Sequence, residues 1–189
     1  MSLEQKINNL ETDLHIMGTL VLDSLVGAVR ALEDKDTLKA SEVMDKDDEI
    51  DDAYMKIDQD WFELMATEQP VASDLRLSTS ILQASLHLER LGDLSVYLGK
   101  TTHEIHDLPI PESLHKIVVE MGDMVIDMAS SALESLKNRD AELALSTARK
   151  DELINSLYNK MLNEVPNISG NKDLYSCLLY TSDAADESV

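Results

Sequence analysis

Carboxylates dominate the chemistry that this sequence could support. Glu89 and Asp93 stand four residues apart, so a helix places them on one face about one turn from each other, where two oxygens can share a cation. Upstream, Asp45, Asp47, Asp48, Glu49, Asp51 and Asp52 put six acids into eight residues. Asp47 and Asp51 share a helical face, while Asp48 and Asp52 lie about 100° round. In a chain with 37 acidic residues such pairs are ordinarily solvated surface, so spacing alone decides nothing. Pro70 changes the weighing, because a hairpin turning there matches residues equally distant from it. Asp93 follows Pro70 by 23 residues and Asp47 precedes it by 23, and Glu89 and Asp51 are each 19 away. Antiparallel helices would therefore bring Glu89, Asp93, Asp47 and Asp51 to one level, where mutual repulsion calls for protonation or a cation. Carboxylate ligands select hard or borderline ions, so iron, manganese and magnesium outrank soft copper, with zinc admissible, and ligand type does not choose among them.

Other motifs offer less. Glu112 and His115 form one Glu-x-x-His where di-iron bundles use two, and at the start of a helix a capping role is expected of it. His103 and His106 fall near a helix end, where histidines meet the terminal carbonyls. His87 lies about 160° round the helix from Glu89 and points off the site. The chain has no Gly-rich phosphate loop, nucleophile elbow or triad spacing, so no catalytic residue is assigned.

All of these positions need helices. Only seven of 189 residues are aromatic, against nine Met, which disfavours strands and makes all-α the expected class. Apolar residues stepping by three or four predict helices over 3–32, 38–67, from Pro70 onward, 112–137 and 143–166, with a sixth to follow. Pro109 and Pro111 mark the boundary between halves. Shifting the chain by 104 residues aligns Met17 with Met121, Gly18 with Gly122, Asp36 with Asp140, Asp47 with Asp151, Ile50 with Ile154 and Tyr54 with Tyr158. An offset held that long makes the architecture two tandem three-helix bundles, the second incomplete. The first repeat is placed at 1–107 and the second at 112–176. The second half is expected to be the weaker one, with Val118, Met121, Val125, Ile154 and Leu157 only partly covered.

The net charge of −21 excludes a bare nucleic-acid binder and argues against adhesion to anionic lipid. The single cysteine, Cys177, permits no internal disulfide, which suits the cytoplasm. Charges near the N-terminus and the lack of an unbroken apolar run of about 18 residues argue against export or membrane insertion.

The stretch Glu68-Gln69-Pro70-Val71-Ala72-Ser73-Asp74-Leu75-Arg76, followed by Leu88-Glu89-Arg90-Leu91-Gly92-Asp93, resembles the signature of the PhoU family. The likeness covers essentially residues 1–175 and includes Asp47-Asp48-Glu49-Ile50-Asp51. It implies a cytoplasmic regulator of phosphate uptake that restrains a phosphate ABC transporter and its sensor histidine kinase by contact, not catalysis. It also implies a homodimer, and metal held by a Glu/Asp-x-x-x-Asp motif that Glu89 and Asp93 match. His87 departs from the pattern where an acid is common, and Tyr54 where a Glu often sits. The stretch 177–189 resembles the translation of a transposase sequencing adapter and is set apart as an artefact tail. The competing reading is a metal-free helical interaction module whose acids merely keep it soluble.

Overall fold

The computed structural model describes residues 2–164. Among them there are seven helices and no strand, in the order α1 (Leu3–Asp34), α2 (Thr37–Met44), α3 (Asp47–Glu68), α4 (Ala72–Ile105), α5 (Glu112–Asn138), α6 (Ala141–Ala148) and α7 (Asp151–Glu164). The stretch 177–189 lies outside these residues. A capping box of Ser2 and Gln5 opens α1, and Lys35 closes it in the left-handed region at φ 53°. Asp36 then accepts from the backbone N–H groups of Leu38 and Lys39 to start α2, a cap that satisfies donors the helix cannot.

Two spans predicted as single helices are each two. The break falls at Asp45 and Lys46 in one and at Arg149 and Lys150 in the other. Charge explains its place in the first: Asp47, Asp48 and Glu49 would repel within a helix, but in the first turn of α3 they meet the positive end of its dipole. The boundaries recur at the 104-residue offset, with α1 and α5 ending at Asp34 and Asn138, and α2 and α6 spanning Thr37–Met44 and Ala141–Ala148. Arg139 repeats the left-handed cap of Lys35 at φ 54°, and Asp140 repeats the N-cap of Asp36.

The two halves differ in burial. Ile7, Leu10, Leu14, Met17 and Val21 of α1 close a core with Ile50, Ile57 and Leu64 of α3 and Ile81 and Leu88 of α4. The second cluster has only Leu114, Ile117 and Met161 fully inside. At matched positions Ala28 and Ala40 are sealed, yet Ala132 and Ala144 are exposed. Val118, Met121, Val125, Ile154 and Leu157 are all half-buried. By length and composition α1 is the one described helix that could cross a membrane, at a mean hydropathy of 1.4 over its best window. Half of that window is buried inside the bundle, as a core helix requires; counting unbroken apolar runs missed it because the window admits charges.

The repeats meet through α1 and α5 at two related glycines. A β-carbon added at Gly18 would come within 2.8 Å of Leu133 Cδ2, and one at Gly122 within 2.7 Å of Val29 Cγ2. Gly18 matches Gly122 and Val29 matches Leu133 at the same offset, so the helices pack antiparallel through a self-complementary contact. Arg30 bonds Asp123 at 2.5 Å, Arg139 bonds Glu11 at 3.3 Å, and Lys35 Nζ donates to the Leu108 carbonyl at 2.9 Å.

The two glycines should respond differently to a methyl group. Leu133 can swing its δ-carbons aside, whereas β-branched Val29 is held close to its own backbone. Alanine gains about 1 kcal/mol of helix propensity over glycine, so Gly18→Ala should stay within about 1 kcal/mol of wild type. Gly122→Ala should lose about 1 to 2 kcal/mol through overpacking. Urea denaturation of both variants measures the difference, and equal stability would refute the packing asymmetry.

Candidate metal centre

Two helices position the four carboxylates. Asp47 is the first residue of α3 and Asp51 lies one turn on, while Glu89 and Asp93 flank Gly92 on α4. A β-carbon at Gly92 would lie 3.1 Å from Ile50 Cδ1 and Cγ2, so the bare backbone lets α3 approach α4 closely at this level. Asp47, Asp51 and Glu89 are half-buried and Asp93 is exposed. Asp45, Asp48, Glu49 and Asp52 are exposed, so one pair of the six acids in 45–52 turns into the seam.

Electrostatics join the two pairs across the hairpin. Burial pushes the Asp47 carboxyl above its ordinary 3.8, and Asp51, Asp93 and Asp48 push it further against the pull of Lys100. Glu89 rises above 4.5 through burial first, then through Asp93 and Asp51, with Arg90 opposing and Asp47 adding. Lys100 and Arg90 are the basic groups that oppose this repulsion, at Asp47 and Glu89 respectively. The four carboxylates stand as facing pairs and not as a closed cage: among the described residues no three His, Cys, Asp or Glu side chains converge closely enough to hold an ion. The donor chemistry, all carboxylate oxygen with no soft ligand, fits a hard cation. Engaging one would take side-chain rotation, to which the exposed Asp93 is open.

The remaining candidates have other partners. Glu112 bonds Lys116 at 2.6 Å, which holds its carboxyl below the usual range. His115 Nε2 donates to the Leu32 carbonyl at 3.2 Å, so the Glu-x-x-His splits between two unrelated contacts. His106 Nδ1 donates to the His103 carbonyl at 2.7 Å, as a residue at a helix end should. His103 Nε2 instead lies 3.0 Å from Ser41 Oγ, a contact with α2 that spacing did not signal. This is no nucleophile and base: Ser41 gives its one proton to the Thr37 carbonyl at 3.0 Å, so His103 must be the donor. His87 is exposed. Sequence reasoning also missed a groove of about 260 Å³ beside the α2–α3 break, into which Asp23, Glu42, Glu49, Lys39 and Lys46 project. Its counterpart in the second repeat is bridged by Lys150 and Asp127 at 2.5 Å.

Comparison with known proteins places this geometry. The family model for the PhoU domain matches residues 14–102 and 118–183; the second match overlaps the first part of 177–189. A phosphate-specific transport system accessory protein PhoU homolog from Clostridium acetobutylicum is 32% identical over 169 residues, covering 87% of this chain and 75% of that protein. Its namesake from Pseudomonas putida is 32% identical over 160 residues, covering 85% and 62%. The chain thus spans between 62% and 75% of the length of these relatives. The crystal structure of PhoU from Pseudomonas aeruginosa superposes with a TM-score of 0.88 at 30% identity, covering 94% of this chain and 86% of that one. The phosphate transport system regulatory protein PhoU from Streptococcus pneumoniae gives 0.80 at 28%, covering 90% and 80%.

The raised carboxyls carry a sign. A folded-state value above the unfolded one means that the native chain binds protons more tightly, so the associated stability is present at low pH and lost as pH rises through the raised values. In metal-free protein, Glu89→Gln should therefore stabilise at pH 7. Solvent screening keeps the gain to about 0.5 kcal/mol or less, and it should vanish near about pH 3, where wild type is itself protonated. Urea melts at the two pH values test this, and destabilisation at pH 7 would contradict it.

Proposed function

The chain belongs to the PhoU family, and on that premise we propose that it is a metal-binding cytoplasmic regulator of phosphate uptake that works by protein contact. The observation that carries the reading is the family match in both repeats, joined to relatives described as accessory proteins of a phosphate-specific transport system. The finer reading is that the protein restrains a phosphate ABC transporter and its sensor histidine kinase, as a homodimer, without an enzymatic step.

In this reading Glu89 and Asp93 are the core ligands, and Asp47 and Asp51 face them from α3. Bound metal would supply positive charge at the level where α3 and α4 are pressed together. The chain's contribution is to hold like-charged oxygens there, with Asp47, Asp51 and Glu89 half-shielded from water and mutual repulsion exceeding the pull of Lys100 and Arg90. Such an arrangement makes metal binding stabilise the hairpin, because a ligand taken only by the folded state adds to folding free energy. The second reading, a metal-free interaction module, draws on the absence of a closed cage among the described residues.

The double variant Glu89→Ala, Asp93→Ala decides between them. Removing both acids relieves repulsion as well as ligation, so helicity by circular dichroism should be retained. Metal uptake in the first repeat, measured by equilibrium dialysis and elemental analysis, should fall at least tenfold. Unchanged metal content with collapsed helicity would show a structural pair. Wild-type protein that takes up none of iron, manganese, magnesium or zinc would favour the metal-free module.

A further inference from the structure

The seam that gathers the acids continues toward Pro70 as an apolar stripe. On α3, Met55 and Phe62 follow Asp51 at helical steps of four and seven; on α4, Leu86, Leu82 and Leu75 precede Glu89 on the same face. Because α3 packs closely on α4, with Ile50 3.1 Å from the β-carbon position of Gly92, the two stripes run side by side. Met55 is 57% exposed, Phe62 60%, Leu75 42% and Leu86 36%, with Leu82 half-buried between them. Asp58, half-buried, is the one acid between Met55 and Phe62 on this face of α3, and a cluster of exposed apolar residues marks an interaction site more often than scattered exposure does.

We propose that this seam docks an amphipathic helix of a partner protein, with apolar residues along one face and Lys or Arg at the end that reaches the acids. Charge complementarity selects the occupant: four carboxylates outnumber the Arg90 and Lys100 that oppose them and close one end of the apolar strip, on a chain of net charge −21. Phe62 is braced edge-on by Trp61, with ring centroids 5.4 Å apart and planes at 80°, so little ordering cost attends its use as an anchor. The eleven residue steps from Asp51 to Phe62 span about 16 Å of helix, which sets the partner segment at about three turns or more. Anionic lipid would be repelled from the acidic end. A second copy laid antiparallel would bury these acids against its own apolar end, where unpaired charge is costly.

The proposal rests on the reading that the chain acts by protein contact; a cation on the same four acids would compete with the partner's Lys or Arg, so peptide binding is read on metal-free protein. Its probe is a synthetic 18-residue helical peptide with leucines on one face and arginines in its last turn, set against a peptide of the same composition with the period scrambled. Fluorescence anisotropy at physiological ionic strength should show the patterned peptide binding full-length chain at least tenfold more tightly than the scramble. Phe62→Ser, exposed and outside the carboxylates, should weaken binding at least tenfold while leaving helicity and metal uptake unchanged. Asp51→Asn should weaken binding and flatten its salt dependence. Loss of peptide binding with intact metal uptake supports the docking surface whatever becomes of the metal reading. Equal binding of the scramble, no effect of Phe62→Ser, or a dimer that Phe62→Ser turns into monomer would overturn the proposal.

Discussion

Repulsion among carboxylates forced together by helix packing is the constraint on which the rest of this fold turns. Gly92 removes the side chain that would hold α3 away from α4, and Ile50 fills the resulting contact. The same closeness that seals Ile50 in the core brings Asp47 and Asp51 against Glu89 and Asp93. Hydrophobic burial, at about 25 cal/mol per Å² of apolar surface, outweighs a repulsion that water still partly screens. The acids are thus carried by the core beneath them, and they destabilise locally what the core stabilises globally.

The duplicated architecture supplies the frame. α1 is the common wall, packing α3 and α4 on one side and α5 on another, and its small residues allow each approach. The contacts of Gly18 with Leu133 and Gly122 with Val29 are one interaction written twice, as two repeats of one unit joined face to face require. Charged contacts overlay this symmetry without obeying it: Arg30 with Asp123 and Arg139 with Glu11 join residues whose repeat counterparts are not paired in the same way.

The elements were legible wherever apolar residues step by three or four, as from Ile7 to Leu32, because burial imposes that period on any amphipathic helix. The hairpin at Pro70 was legible too, since proline stops one helix and its distance to each acid sets the level. What the sequence hid was non-periodic. The stop at Asp45 and Lys46 carries no Gly or Pro, and only the surplus of acids that follows hints at a helix start. The contact of Ser41 with His103 joins α2 to the end of α4 across 62 residues, a distance that no local pattern spans. Phe62 reads as one more apolar residue beside Trp61, and only its exposure sets it apart.

In the proposed reading the α3–α4 seam holds a hard cation between its facing carboxylates. Crystals of the full chain grown with manganese, measured at a wavelength where that metal scatters anomalously, test it most directly. An anomalous peak is expected about 2.0 to 2.4 Å from carboxylate oxygens of Glu89 and Asp93, with Asp47 or Asp51 completing the shell from α3. Density confined to other acidic surfaces, with the four side chains of the seam unmoved, would contradict it.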